Sequence, residues 1–397
     1  MKHKPNRRDR NAMEAKKVRH DSDDKVNNNQ VKKHQSRKIR VMKRIAIFMA
    51  ALLAVSGAFA QNLNKAEQKN LQKFLEQTSG KGVSNGIALK APTVESLLAS
   101  KDLVVENGYI TEISLKNREL GGPLVLSGFK ALRKIDVTGN RLTSLTVTNN
   151  PALVELNAGR NRLTNVDIEN CPQFQILRLN RNALSSINLG AVPLLQRLNL
   201  SGNAFVELDV TNAANLKYLN VNSNRLEQLA VAGCQNLNTL YAAFNDLTGI
   251  ELQGLVHLQN LNIGNNKIQK LYVQGLPALS TLLCSDNHMT QLAINDCKNL
   301  VDVWAPYNDL TSFTVNQAPT LGFVNLAWND LTTLTLSNQS YLQRVNVANN
   351  QLVTLDLTFD PMLTVVNVTN NEMLTDLRLE GCSELRNVIG DDEYEPF

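Results

Sequence analysis

Residues Leu195–Val231 read LQRLNLSGNAFVELDVTNAANLKYLNVNSNRLEQLAV, and this stretch decides the fold. It holds one pattern twice: Leu195, Leu198, Leu200, Asn203, Phe205, Leu208, Val210, then Leu216, Leu219, Val221, Asn224, Leu226, Leu229, Val231. Outward in both directions the asparagine keeps its 21-residue phase, at Asn140, Asn161, Asn182, Asn203, Asn224, Asn245, Asn266, Asn287, Asn308, Asn329, Asn350 and Asn371. A polar residue held this long inside one apolar frame marks a solenoid, in which each coil is too small to fold alone and stacks on its neighbours.

Each coil runs L-x-x-L-x-L-x-x-N-x-L-x-x-L-x-V followed by five residues. The L-x-L spacing has period two, so its apolar members share one face of a short strand. The later L-x-V pair, such as Leu229 and Val231, repeats that alternation on the opposite side. The five residues left over are too few for a helix, which needs roughly 8–20. Two short extended segments per coil are therefore predicted. The asparagine follows the first strand where the chain turns, so its side chain is expected between coils. There it can donate to and accept from backbone groups that the turn leaves unpaired.

This frame resembles the bacterial leucine-rich repeat proteins of the 21-residue type, close to internalin-like surface proteins. The match runs from Leu132 to about Leu385, with a degenerate coil before it at Ile110, Ile113 and Leu115. One variant of that family puts cysteine at the second leucine of L-x-L, where Cys284 stands here. The resemblance implies a leucine-rich repeat solenoid bent into a horseshoe, with a parallel β-sheet on its concave side and little helix. It also implies a recognition surface, without naming a ligand.

The ends read differently. In residues 62–109 Leu63, Leu71, Phe74 and Leu75 share one helical face, Gly80 to Gly86 break the helix, and a second helix is predicted over Thr93–Ser100. Residues 61–109 thus form a helical N-terminal cap, 110–390 the repeats, and 391–397 an acidic tail. Residues 1–60 hold 16 of the 41 Lys and Arg but 5 of the 36 Asp and Glu; the remainder, with 25 basic and 31 acidic residues, carries −6. Residues 42–60 have the form of a secretory signal: Met42-Lys43-Arg44, an apolar run Ile45–Phe59, and Ala58-Phe59-Ala60 before Gln61. That run is short of the ~20 residues a membrane span needs. Residues 1–41 are a basic, patternless leader, and translation from Met42 is the simpler reading. The expectation is a secreted, cell-surface or periplasmic protein with no transmembrane segment in its mature part. A monomer is expected.

Export raises the question of disulfides. Cys171, Cys234 and Cys297 hold one coil position three coils apart, about 14 Å at strand spacing, against a ~7 Å limit between Cα atoms. Cys284 is a core position and Cys382 lies four coils beyond Cys297, so all five are read as packed free thiols. Catalytic constellations are absent from the repeats, and no cofactor or metal site is expected. Asp246, Asp309 and Asp330 share a coil position, but no dense oxygen-ligand loop surrounds them, and they read as a solvated acidic edge.

Function then rests on outward residues. Counting from the first leucine of a coil, positions three, five and seven are predicted to face solvent, and position eight begins the adjoining edge. Aromatics gather there in the middle and late coils: Tyr218, Tyr241, Phe244, Trp304, Tyr307, Phe323 and Trp328, with Asp286, Asp302, Asp309, Asp330 and His288 around them. Tyr307 and Trp328 hold the same position in successive coils and should be neighbours. The early coils instead carry Lys134, Arg160, Arg162, Arg178, Arg181, Arg197 and Arg225. Exposed Trp and Tyr clusters are the residue types of binding hot spots. The reading is a non-enzymatic module for a protein partner, with the aromatics as its centre and arginines as a steering rim. A glycan-binding module and a structural envelope protein are the alternatives; nucleic acid is disfavoured by the negative mature charge.

Overall fold

The computed structural model describes residues 65–190 and 192–390. The basic leader, the secretory signal, Leu63 and the acidic tail lie outside the described residues. Fifteen strands form one long sheet in consecutive order along the chain, an antiparallel edge strand followed by one parallel strand per coil. Its register is the repeat itself: Leu198 pairs with Leu219 and Leu219 with Leu240, each step being 21 residues, and all three are fully buried. Strands of three residues suffice because each is held on both sides by a copy of itself.

In all coils but those of Leu184 and Leu247 the second segment is also a strand. It pairs into four small parallel sheets, among them Lys270–Gln274 with Gln291–Asn295 and Ser312–Asn316. No helix occurs after Leu98 among the described residues, as the short coil requires.

The asparagine ladder closes the coils. In all twelve, the side-chain oxygen accepts an N–H of the preceding coil while the amide donates to carbonyls of both coils. For Asn245, Oδ1 accepts from Leu226 N at 3.0 Å, and Nδ2 donates to Val221 O at 3.0 Å and Ala242 O at 3.1 Å. The carbonyls are shared: Ala242 O also accepts from Asn266 Nδ2 at 3.0 Å. Each position-six carbonyl inside the stack thus takes two donors from two successive asparagines.

Three short helices and a hairpin precede the coils. Helix α1 (Lys65–Glu76) buries Leu71, Phe74 and Leu75. A five-residue helix α2 (Asn85–Leu89) forms where only a break was expected. Helix α3 (Val94–Leu98) starts at a capping box made by Thr93 and Ser96. Strand β1 (Leu103–Glu106) then pairs antiparallel with β2 (Tyr109–Ser114), whose far edge starts the parallel ladder on Lys134–Asp136. This hairpin crosses the expected cap boundary. Its turn, Asn107-Gly108, has both φ angles positive, the requirement of a type I′ turn, and Asn-Gly is the strongest sequence sign of one. Asn85 is fully buried and ties the cap to the first coil: its amide donates to Phe74 O and Gly121 O, both at 2.9 Å, and its oxygen accepts Gly121 N–H at 3.0 Å. A Cβ on Gly121 would stand 2.4 Å from Thr78 O, so only glycine allows this approach.

All five cysteines are free, as expected. Cys234 Sγ donates to Val210 O at 3.1 Å and Cys382 Sγ to Leu357 O at 3.1 Å, a neighbouring-coil contact like that of the asparagines.

Candidate functional site

Three side chains per coil dominate the exposed rim of the long sheet, at positions three, five and eight. Position seven is mixed: Thr138, Asn180, Ser201, Asn222, Ser285 and Thr369 are part-exposed, while small residues are buried in the other coils. Ala243, Ala327 and Ala348 are among the buried ones.

Position eight is the turn, and it is left-handed in every coil from Gly139 to Asn370. Gly202, Asn265 and Asn349 hold it with φ of 67°, 55° and 57°, residue types that tolerate that region. Phe244, Tyr307 and Trp328 hold it too, with φ of 57°, 56° and 57°. Bulky side chains there cost about 1–2 kcal/mol each. These three aromatics therefore occupy positions where glycine or asparagine would serve the fold better, and their rings are more than half exposed.

Position five carries a second polar ladder. Asp136, Asn157, Asn199, Asn220, Asn262, Asn325, Asn346 and Asn367 each accept the N–H two residues on, as Asn199 does from Ser201 at 3.0 Å. Arg178, Tyr241, Leu283 and Trp304 break it, and the breaks at the two aromatics are compensated. Beside Tyr241, the Ala243 N–H turns to Asn222 Oδ1 of the previous coil at 2.7 Å. Beside Trp304, the residue two on is Pro306, which has no N–H to satisfy.

The rings meet in three pairs: a first group of one pair, and a second group of two pairs that share the coil of Trp304 and Tyr307. Tyr218 and Tyr241 meet edge to face with centroids 5.9 Å apart, and the Arg197 guanidinium lies 4.6 Å from the Tyr218 ring centre. Three coils further on, Trp304 and Phe323 are tilted against each other at 5.3 Å, and Tyr307 and Trp328 stack at 5.7 Å with 16° between their planes. The expected pairing of Tyr307 with Trp328 is thus observed. Phe244 makes no ring contact with either group among the described residues.

Charges around the second group are mostly acidic, with Arg344 as the register partner of Phe323. Asp286, Asp309 and His288 are exposed, with His288 Nδ1 3.6 Å from Asp309 Oδ2. Asp330 accepts from Gln351 Nε2 at 2.9 Å. Asp302 is half-buried beside Trp304 and Phe323, and burial pushes its carboxyl above the ordinary range. The basic half is less free than its sequence suggests. Glu155 takes a hydrogen bond from Arg178 and lies 3.5 Å from Lys134, so these two cations are paired. Arg160 and Arg181 stand at left-handed position eight and Arg162 and Arg225 at position ten, all exposed. Among the described residues no group of three or more His, Cys, Asp or Glu could hold a metal ion, and no helix is long and apolar enough to cross a membrane.

A solenoid of repeated strand–turn coils closed by an asparagine ladder defines the leucine-rich repeat class. No protein-family model and no curated protein matches the chain by sequence. Solved structures match its fold. YopM from Yersinia enterocolitica is 24% identical with a TM-score of 0.55, over 71% of this chain; the chain spans 62% of that protein. YopM from Yersinia pestis, a leucine-rich effector protein, is 20% identical with a TM-score of 0.54, over 85% of this chain and 88% of that one. An internalin (inlF) from Listeria monocytogenes is 19% identical over 69% of this chain and 87% of its own, with a TM-score of 0.47. What is shared with the two Yersinia proteins at these identities is the fold, and this chain has their leucine-rich repeat fold.

Proposed function

We propose that this chain is a non-enzymatic binding module that recognises a protein partner through the late-coil aromatics of its long sheet. The observation that carries the reading is where those residues stand. Trp304 replaces a ladder asparagine, and Tyr307 and Trp328 sit in left-handed backbone. All three occupy positions at which the scaffold prefers other residue types, so scaffold stability does not account for them. Exposed, mutually packed Trp and Tyr are the anchors of protein interfaces. The exposed arginines of the early coils, Arg160, Arg162, Arg181 and Arg225, form a rim suited to steering a partner with acidic regions.

The test is capture from cellular extracts by the full chain and by a Trp304→Ala, Trp328→Ala variant of unchanged circular dichroism. Loss of a specific protein in the variant supports the reading. Loss of retention on a glycan array with protein capture unchanged supports sugar recognition in its place, since the same ring faces stack on pyranoses. Identical behaviour of both chains in both assays leaves a structural role. We infer also that the protein is exported, on the strength of residues 42–60; sequencing of the secreted product should begin at Gln61, and a mature start near Met1 overturns it.

A further inference from the structure

One shallow hollow on the long sheet joins a carboxylate to aromatic faces. It is lined by Val301, Asp302, Trp304, Gly322, Phe323 and Arg344. Asp302 and Trp304 are two residues apart on one strand, so their side chains leave the same face. Phe323 is the register partner of Asp302 on the next strand, about 4.8 Å away, and Arg344 is the partner of Phe323 one strand further. The Asp302 carboxylate has no hydrogen bond or ion pair among the described residues, unlike Asp330 and Asp309 close by.

We propose that this hollow receives the cationic side chain of an arginine or lysine on the protein partner, with Asp302 as counter-ion and the Trp304 and Phe323 rings as walls. Three observations converge on it. A partly desolvated carboxylate without a partner is an unfavourable arrangement that an incoming cation relieves, and burial already raises its pKa. Ring faces carry negative electrostatic potential, and Trp is the best of them for a cation. The charges nearest on the adjoining edge, Asp286, Asp309 and Asp330, are of the sign that draws a basic segment in. Arg344 opposes the cation from the far wall, two strands from Asp302, and is suited to a carbonyl or carboxylate beside the cationic residue. An anionic occupant would instead meet four carboxylates. This inference rests on the binding reading above and names the chemistry of the partner.

Trp304 and Trp328 are the only two tryptophans of the chain, so fluorescence reports on this surface directly. The probe is a capped pentapeptide with one central arginine flanked by alanines, and its control is the same peptide with citrulline, which keeps the shape and removes the charge. In a Trp328→Phe background, leaving Trp304 as reporter, the arginine peptide is expected to give a saturable change in the millimolar range and the citrulline peptide at least about tenfold weaker binding. Asp302→Asn should weaken the arginine peptide by a similar factor. Arg344→Gln should tighten it two- to threefold while leaving all ring contacts in place. Equal responses to the two peptides, no saturable response, or an affinity unmoved by Asp302→Asn overturns the proposal. If a captured partner depends on Trp304 and Trp328 but not on Asp302, the binding reading stands and the cation site does not.

Discussion

Replacing ladder asparagines one and two at a time has a consequence that follows from carbonyl sharing. Asn245→Ala removes the only acceptor of the Leu226 N–H, while Val221 O keeps a donor in Asn224 and Ala242 O keeps one in Asn266. The single substitution therefore strands one buried N–H, about 1–3 kcal/mol, and weakens two carbonyls that remain bonded; about 2–3 kcal/mol in total is expected. Asn266→Ala does the same one coil on, stranding Leu247 N–H. The two together leave Ala242 O with no donor at all, a loss neither single variant suffers. The adjacent double variant should thus exceed the sum of the singles by about 1 kcal/mol, whereas Asn245→Ala with Asn329→Ala, four coils apart, should be additive within about 0.5 kcal/mol. Urea unfolding followed by circular dichroism measures this, with the slope checked for constancy because long repeat arrays can lose cooperativity. Singles within 0.5 kcal/mol of the parent, or an additive adjacent pair, would refute the shared-carbonyl ladder.

Three further outcomes are expected. Asp360 is fully buried, its Oδ1 accepts Gln339 N–H at 2.6 Å, and its Oδ2 has no partner; burial, foremost, raises its pKa to about 7. At the matching coil position Asn150 donates to Leu126 O, which a protonated Asp360 would imitate. Since the folded value lies above the unfolded one near 3.9, folding takes up a proton between about pH 4 and 7, and stability falls by up to ~1.4 kcal/mol per pH unit as pH rises through that window. Asp360→Asn should remove that slope and be the more stable protein at pH 8; a stability difference independent of pH contradicts it. Phe244→Asn, at an exposed left-handed site without ring contacts, should raise stability by about 0.5–1 kcal/mol in thermal melts, and a loss of that size speaks against strain at position eight. Thiol titration should find five reactive groups in denaturant and slow reaction in the native state, since burial pushes the Cys234 thiol up to about 11 and Cys284 higher still; fast native labelling of Cys234 goes against this.

The repeat made most of the fold legible, because register in stacked identical coils is the period itself. Leu198 had to meet Leu219. The cap was legible as helices, since Leu71, Phe74 and Leu75 declare a buried face, but its hairpin was overlooked although Asn107-Gly108 signals it. Asparagine also recurs at position five, in seven of the twelve coils, without declaring what it bonds. Its role depends on where the N–H two residues on points, which spacing alone does not reveal. Position eight was hidden for another reason: Arg, Phe, Tyr, Trp and Asp there carry none of the glycine preference that betrays a left-handed turn. Membership of the aromatic surface could be read from coil position, yet its division into two groups could not. Ring contacts are set by rotamers, and Tyr241 and Trp304 are separated by two coils of Asn262 and Leu283 that carry no ring.

The central claim is that aromatics placed against the scaffold's preference form the contact with a partner. Its most direct measurement is the dissociation constant of the captured partner for the parent chain and for the Trp304→Ala, Trp328→Ala variant, by calorimetry. Loss of two hot-spot anchors at about 2 kcal/mol or more each should weaken binding by a factor of several hundred or more, with the melting temperature changed by no more than a few degrees. A dissociation constant within twofold of the parent's would contradict the account.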